Sequence, residues 1–390
     1  MKTNAVDRLC LFASLLLSAF QPASSIAAEA SPLPPDSCLV YTGSYCKAPA
    51  EGIQVFRLNH LTGELTKIGG AAGVTNPSFL ALHPSQKFLY AVCETDEFSG
   101  RPMGAVAAFA LDGLGVPKLL NMQPSGGQGP CHLSLDPAGR NVLIANYVSG
   151  QVAVASIGDD GQLSPPSCVV QHTGQSVHPQ RQTGPHAHSI NLDPAGKFAF
   201  AADLGIDKIM VYKFGGADGQ LPPNDPPATA VPAGSGPRHF AFHPSGKFAY
   251  ANGELTSTVL VFAYDSERGV LMLKQELSTL PHKVEGNTTA ETLVSPAGRH
   301  VYVSNRGHNS LAVFSVDEAT GQLTAVGHCP TGGKIPRNFG IDPSGEWLLA
   351  ANQESGNVMV FKLDAESGMP TPAGHAVSLP SAVCVKFLVK

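Results

Sequence analysis

Between Gly236 and Glu254 the chain reads GPRHFAFHPSGKFAYANGE, with an arginine and a histidine entering an apolar segment and a glutamate leaving it. Arginine grips anions through a planar fork of donors, and histidine exchanges protons near neutral pH. A carboxylate among them either pairs with these cations or takes up a proton itself. Equivalent places elsewhere hold His188, Glu291, Arg306 and Arg337. Charge in an apolar setting is costly unless it is paired or meets a ligand. What these residues can do therefore depends on the elements that bring them together.

Those elements are repeated. Aligned on a turn of the form His/Asp/Ser-Pro-x-Gly, the stretches NPSFLALHPSQKFLYAVCE, GPCHLSLDPAGRNVLIANY, HAHSINLDPAGKFAFAADL, GPRHFAFHPSGKFAYANGE, TAETLVSPAGRHVYVSNR and IPRNFGIDPSGEWLLAANQ repeat one unit. They open at Pro77, Pro130, Ala187, Pro237, Thr289 and Pro336, and LPSAVCVKFL supplies a seventh opening at Pro380. Each unit alternates short β-rich runs with Gly, Pro, Asn and Asp, with no sustained helical period. Segments such as GIQVFRLNHLTGEL and NSLAVFSVDEATGQL read as an outer hairpin. Four strands in a period of roughly 45 to 50 residues make a propeller blade. The expected fold is all-β, a seven-bladed β-propeller, with Ser381 to Leu388 completing the N-terminal blade begun by Cys38 to Tyr45.

In an antiparallel hairpin the start of the first strand and the end of the second share one rim, and innermost strands line the channel. After each opening stand Ser78, Cys131, His188, Arg238, Ala290, Arg337 and Ser381, then Phe79, His132, Ser189, His239, Glu291, Asn338 and Ala382. The second strands end on Glu94, Tyr147, Leu204, Glu254, Arg306 and Gln353, with Asp203 just before Leu204. Polar residues thus gather at one mouth, and His186 lies just upstream of His188. Asp136, Asp193, Asp342, His83 and His243 precede proline in the turns, where bonds to the backbone account for them. Taken singly, the arginines could serve as ion pairs between blades with Glu254 and Glu291.

The 390 residues are 43% apolar, 14% charged and carry a net charge of −5 without long charge runs. Nothing here suggests a nucleic-acid groove or a basic membrane patch. Lys2 and Arg8, the apolar run Leu9 to Phe20 and small residues up to Ala30 read as a secretory signal over residues 1–30, too short to span a bilayer. The expected mature domain is 31–390, exported to a periplasm or medium, with no membrane span after cleavage. Seven cysteines follow the leader without a zinc-like or CxxC spacing, and most read as small buried residues, although some could pair in an oxidising compartment.

These motifs resemble the seven-bladed propeller lactonases, a family that includes propeller-type 6-phosphogluconolactonases and carboxy-cis,cis-muconate cyclases. The resemblance is carried by YTGSY, GPHAHSINLDPAGKFAFAADLGIDKIMVYKF, GPRHFAFHPSGKFAY, ELTSTVLVF, AETLVSPAGRHVYVSNRGHNSLAVF and PRNFGIDPSGEWLLAANQESGNVMVF, and it covers essentially the whole mature chain. It implies hydrolysis of an anionic sugar lactone, with His188, Arg238 and Glu254 as catalytic residues. His186, His239, Glu291, Arg306, Arg337, Asp203 and Gln353 would contact the substrate. Gly253 stands where the resemblance implies a bulkier residue in the pocket wall.

Lactone hydrolysis needs a base for water, donors for the oxyanion and cations for a substrate anion. His188 or Glu254 fits the first role, Arg238 the second, and Arg306 with Arg337 the third. No Gly-x-Ser-x-Gly motif is present, which favours direct attack by water. No cofactor is called for and no metal is demanded, although Glu94, Asp203 and Asn305 are oxygen donors of the kind calcium takes. Two alternatives remain at this level: a lactonising cyclase of the carboxymuconate type, and a non-catalytic exported binding or scaffold propeller.

Overall fold

The turn stretches fold tightly because the residue before proline satisfies its own backbone. Asp136 Oδ1 accepts the N–H groups of Arg140 at 2.7 Å and Asn141 at 2.5 Å. Asp193 does the same for Lys197 and Phe198, and Asp342 for Glu346 and Trp347. His83 and His243 use Nδ1 to accept from Ser85 and Ser245. The turn favours glycine: φ is 66° at Gly196 and 75° at Gly345, in the left-handed region, and Gln86 takes the same place in blade 2 at 60°.

The computed structural model describes Met1, residues 36–216 and residues 218–388. Apart from Met1, the expected leader lies outside these residues. Seven four-stranded antiparallel sheets form the blades, as expected. Blade 5 shows the pattern, running outward through Pro237–Phe242, Phe248–Gly253, Thr258–Asp265 and Val270–Ser278. The innermost strands of blades 2 to 7 are Leu80–Leu82, Pro130–Leu135, Ala187–Leu192, Pro237–Phe242, Thr289–Val294 and Pro336–Ile341. Ala382–Phe387 pairs with Ser37–Ser44 to complete blade 1 and packs between the inner strands of blades 7 and 2. The expected closure of the ring is therefore observed. No described helix is long and apolar enough to cross a membrane.

Successive blades are joined by apolar layers and by a recurring latch. Tyr41, Tyr90, Tyr250 and Tyr302 each donate a buried hydroxyl to a glycine carbonyl of the next blade: Gly115, Gly161, Gly321 and Gly368, at 2.8 to 3.0 Å. Between blades 4 and 5, Phe200, Phe240, Phe262 and Tyr264 belong to one buried cluster. Of the cysteines, Cys38, Cys93, Cys131, Cys329 and Cys384 are buried, and Cys46 and Cys168 are partly so.

One expected register is corrected. Counting from Pro380 places Ser381 and Ala382 in the channel. In blade 1, however, Gly43 pairs with Cys384 and Ser44 with Ala382, where in blade 3 Ala145 pairs with His132 and Asn146 with Pro130. Ala382 is thus the true opening, and Val383 and Cys384 occupy the places of Cys131 and His132. Lys386 falls level with Ala81, Ser134, Asn191, Ala241, Leu293 and Gly340. This strand ends without a Pro-x-Gly turn from which to count.

Candidate active site

At the mouth where second strands end, Glu254 is almost wholly buried and collects three guanidinium groups. Arg181 Nη2 lies 2.7 Å from Oε1, and Arg238 Nε and Arg306 Nη2 each lie 2.9 Å from Oε2. Burial alone would raise the Glu254 carboxyl, but Arg306, Arg238 and Arg181 hold it down to about 2. Arg238 is 2% exposed and donates from Nη1 to Ala290 O at 2.5 Å. Burial, with Arg337 and Arg306 nearby, lowers its own pKa to about 10. Arg238 Nε and Arg306 Nε are buried donors without an aligned acceptor among the described residues. Although Arg238 Nε is close to Glu254, its N–H direction misses the carboxylate, so that contact is one of charge.

The wall continues through blades 1, 2 and 7. Arg337 lies over the Tyr45 ring, 5.4 Å from its centroid. Tyr45 OH donates to Glu94 at 2.9 Å and Ser78 Oγ donates to the same carboxylate. Around this mouth four guanidinium groups face two carboxylates, Glu254 and Glu94, an excess of two positive charges. The cavity lined by Ser78, Glu94, Cys131, Arg238, Arg337 and their neighbours holds about 10 Å³, roughly the size of one water molecule.

His188 stands beside this cluster, buried, with Nδ1 3.6 Å from Cys131 Sγ. Its ring meets Tyr147 edge-on at 5.2 Å and His239 at 5.4 Å. Burial, then the charges of Arg238, His239 and Arg337, hold its pKa well below the ordinary imidazole range. It is a neutral imidazole at pH 7. One layer deeper, His239 Nδ1 pairs with Glu291 Oε1 at 2.7 Å, and Asn338 donates to the other Glu291 oxygen. His132 packs tilted against Phe79 with ring centroids 4.3 Å apart, and these rings floor the site.

The structure thus brings His188, Arg238, Glu254, His239, Glu291, Arg306 and Arg337 together. The ion-pair account of the arginines holds for Glu254, whereas Glu291 takes a histidine and an amide. His186 lies at the rim, stacked on Tyr147 at 4.7 Å with Nδ1 2.9 Å from Tyr147 O. Gln353 is half-buried on the blade 7 rim, its N–H bonded to Ile335 O.

Asp203 is a correction. Its carboxylate turns between blades, taking His172 Nδ1 at 2.6 Å and the N–H groups of His186 and Gly205, and Tyr212 OH meets the other side of His172. Gly253 is another: a Cβ there would lie 2.7 Å from Thr256 Oγ1 and Thr258 Oγ1, toward the exposed turn after the strand and away from the pocket wall. Glu94, Asp203 and Asn305 sit in separate networks, Asn305 with Thr279 and Asn287. Among the described residues no group of three or more His, Cys, Asp or Glu has metal-binding geometry.

Sequence reasoning missed Arg181. It lies on the long connection from blade 3 to blade 4, outside the repeated unit, and bridges Tyr147 OH and Glu254. The only signal was an insertion rich in His, Gln and Gly before the Pro-His-x-His segment.

A propeller with a cationic, histidine-bearing mouth defines a class of small-molecule binding or catalytic propellers. Residues 39–387 match the family model described as Lactonase, 7-bladed beta-propeller, and the chain belongs to that family. It is 39% identical over 350 residues to a 6-phosphogluconolactonase of Bacillus subtilis, covering 89% of this chain and 97% of the relative. A 6-phosphogluconolactonase of Formosa agariphila is 36% identical, over 78% of this chain and 86% of its own length. Among solved structures, the periplasmic gluconolactonase of Pseudomonas aeruginosa superposes with a TM-score of 0.84 at 34% identity, covering 90% of this chain and 99% of that one.

Proposed function

We propose that this protein hydrolyses a sugar lactone at the cationic mouth. The observation that carries the reading is a neutral buried imidazole beside an excess of guanidinium charge, on a family scaffold whose relatives are named lactonases. His188 accepts a proton from water as its oxygen attacks the lactone carbonyl, and Arg238 with Arg306 stabilises the tetrahedral oxyanion. The ring C–O bond then breaks, and the leaving oxygen recovers the proton from His188, giving the open hydroxy acid. Glu254 has its two oxygens taken by three arginines and serves to position them. Arg337 and Arg181 hold an anionic group of the substrate.

A sugar lactone does not fit a cavity the size of one water molecule, so entry requires the mouth to widen. Arg181 is the group able to move: its side chain is 37% exposed and sits on a loop, whereas Arg238 sits on a channel strand. We also propose that residues 1–30 are a cleaved leader and that the rest works outside the cytoplasm. The leader's composition and the periplasmic address of the Pseudomonas structure support this.

Purified mature protein should accelerate acid release from gluconolactone or its 6-phosphate in a pH-stat, above the spontaneous rate. No acceleration with either of these or with a wider panel of sugar lactones would overturn the hydrolytic reading.

A further inference from the structure

A roomy cavity lies at the other end of the channel, away from the charged mouth. A chamber of about 500 Å³ is lined by Leu82, Leu135, Leu192, Asn191, Lys386 and Phe387, among others. A second of about 410 Å³, lined by Leu293, Ile341 and Gly340, shares Lys386 and Phe387 with it. This space exists because most residues level with Lys386 are small: Ala81, Ser134, Asn191, Ala241 and Gly340. Lys386 projects into it, with Nζ 4.3 Å from the centroid of the Phe79 ring that floors the upper site.

The Lys386 ammonium rests on a ring face and has no anion beside it. Among the described residues no carboxylate pairs with the Lys386 ammonium, and Asn191 Nδ2 is buried with no hydrogen-bond partner. Glu291, the carboxylate on the upper side of the floor, spends its oxygens on His239, Thr292 N and Asn338. Asp136 and Asp193 at the chamber's edge bind the backbone of their own turns. An ammonium held only by a ring face gains from a ligand carboxylate, and the leucines, prolines and Phe387 around it suit an apolar body.

We propose that this lower chamber is a second binding site, for a small carboxylate with an apolar body, held by Lys386. The ligand differs from a sugar acid in having an apolar body to set against the leucines, prolines and Phe387. The site lies beneath the aromatic floor and does not share the upper pocket's arginines.

Phenylacetate titrated calorimetrically into the mature protein tests this, with neutral phenylacetamide as control. The expected result is one-to-one binding, about tenfold or more weaker for the amide and for the Lys386→Met variant, since loss of a buried charge partner costs at least that factor. Lys386→Arg should retain binding, which covers the case in which Lys386→Met does not fold. Crystals soaked in 4-bromobenzoate should show the bromine scatterer beside Phe387 and Leu135. Absence of binding, equal affinity for the amide, or bromine only at Arg238 and Arg337 would overturn the proposal.

Discussion

The two mouths of the channel are built from the same repeated hairpin and differ in almost every property. One is tight and cationic, holding about 10 Å³ among arginines, while the other opens to about 500 Å³ among leucines and prolines. The difference follows from what each end of the hairpin must do. At the turn end, the residue before proline is committed to capping the backbone in blades 2 to 7, so chemical variety there is small. At the open end no such duty exists, and each blade can present a different side chain. One end of the unit is thus held constant by folding and the other left free for chemistry.

The most severe test removes both mouths at once. A chain ending after Pro380 loses the inner strand of blade 1, leaving an open sheet edge, and it should lose its cooperative thermal transition and its solubility. Retention of the full chain's midpoint would contradict ring closure. Next in size is Glu254→Gln, which leaves three guanidinium groups uncompensated; breaking such a buried pair costs about 3–5 kcal/mol, readable by denaturant unfolding. Arg238→Lys keeps the charge but loses the fork, so turnover should fall about a hundredfold while the fold survives. Unchanged turnover would remove Arg238 from the chemistry, and unfolding instead would make it chiefly a structural partner of Glu254.

The lower end should respond differently. Asp193→Ala removes the acceptor for Lys197 and Phe198 and should cost about 1–2 kcal/mol of stability with turnover unaltered; a loss of turnover at constant stability would blur the contrast between the mouths. The remaining effect is one of pH. His132, His188 and His239 all have depressed pKa values, chiefly through burial. The unfolded chain therefore binds more protons below about pH 6.5, so stability is full above that value and declines as pH falls through it. Glu254 adds a second loss between 4.5 and about 2. A thermal midpoint that stays flat from pH 7.5 to 5 would show that these imidazoles are not held neutral.

Much of this was legible in the sequence because the Pro-x-Gly turn provides a counting mark. From it the channel positions of Arg238, His239, Glu291 and Arg337 follow, as do the strand ends at Glu254 and Arg306. Where the mark is missing the reading slips: the last strand has no such turn, and counting from Pro380 hid Lys386 among turn residues. Arg181 escaped because its loop belongs to no repeat. Asp203 holds the right place on its strand, yet His172 from the preceding connection draws it between blades, a long-range contact invisible to spacing.

The strand that closes the ring carries a consequence for how the protein is made. Ala382–Phe387 follows all the other blades in chain order, and it contributes Val383 to one mouth and Lys386 to the other. During synthesis the earlier blades can stack as they emerge, but neither pocket has a complete wall until this strand is delivered. A partly made chain therefore presents a gapped stack with no finished ligand site at either end, so competence to bind and completion of the ring arrive in a single late event.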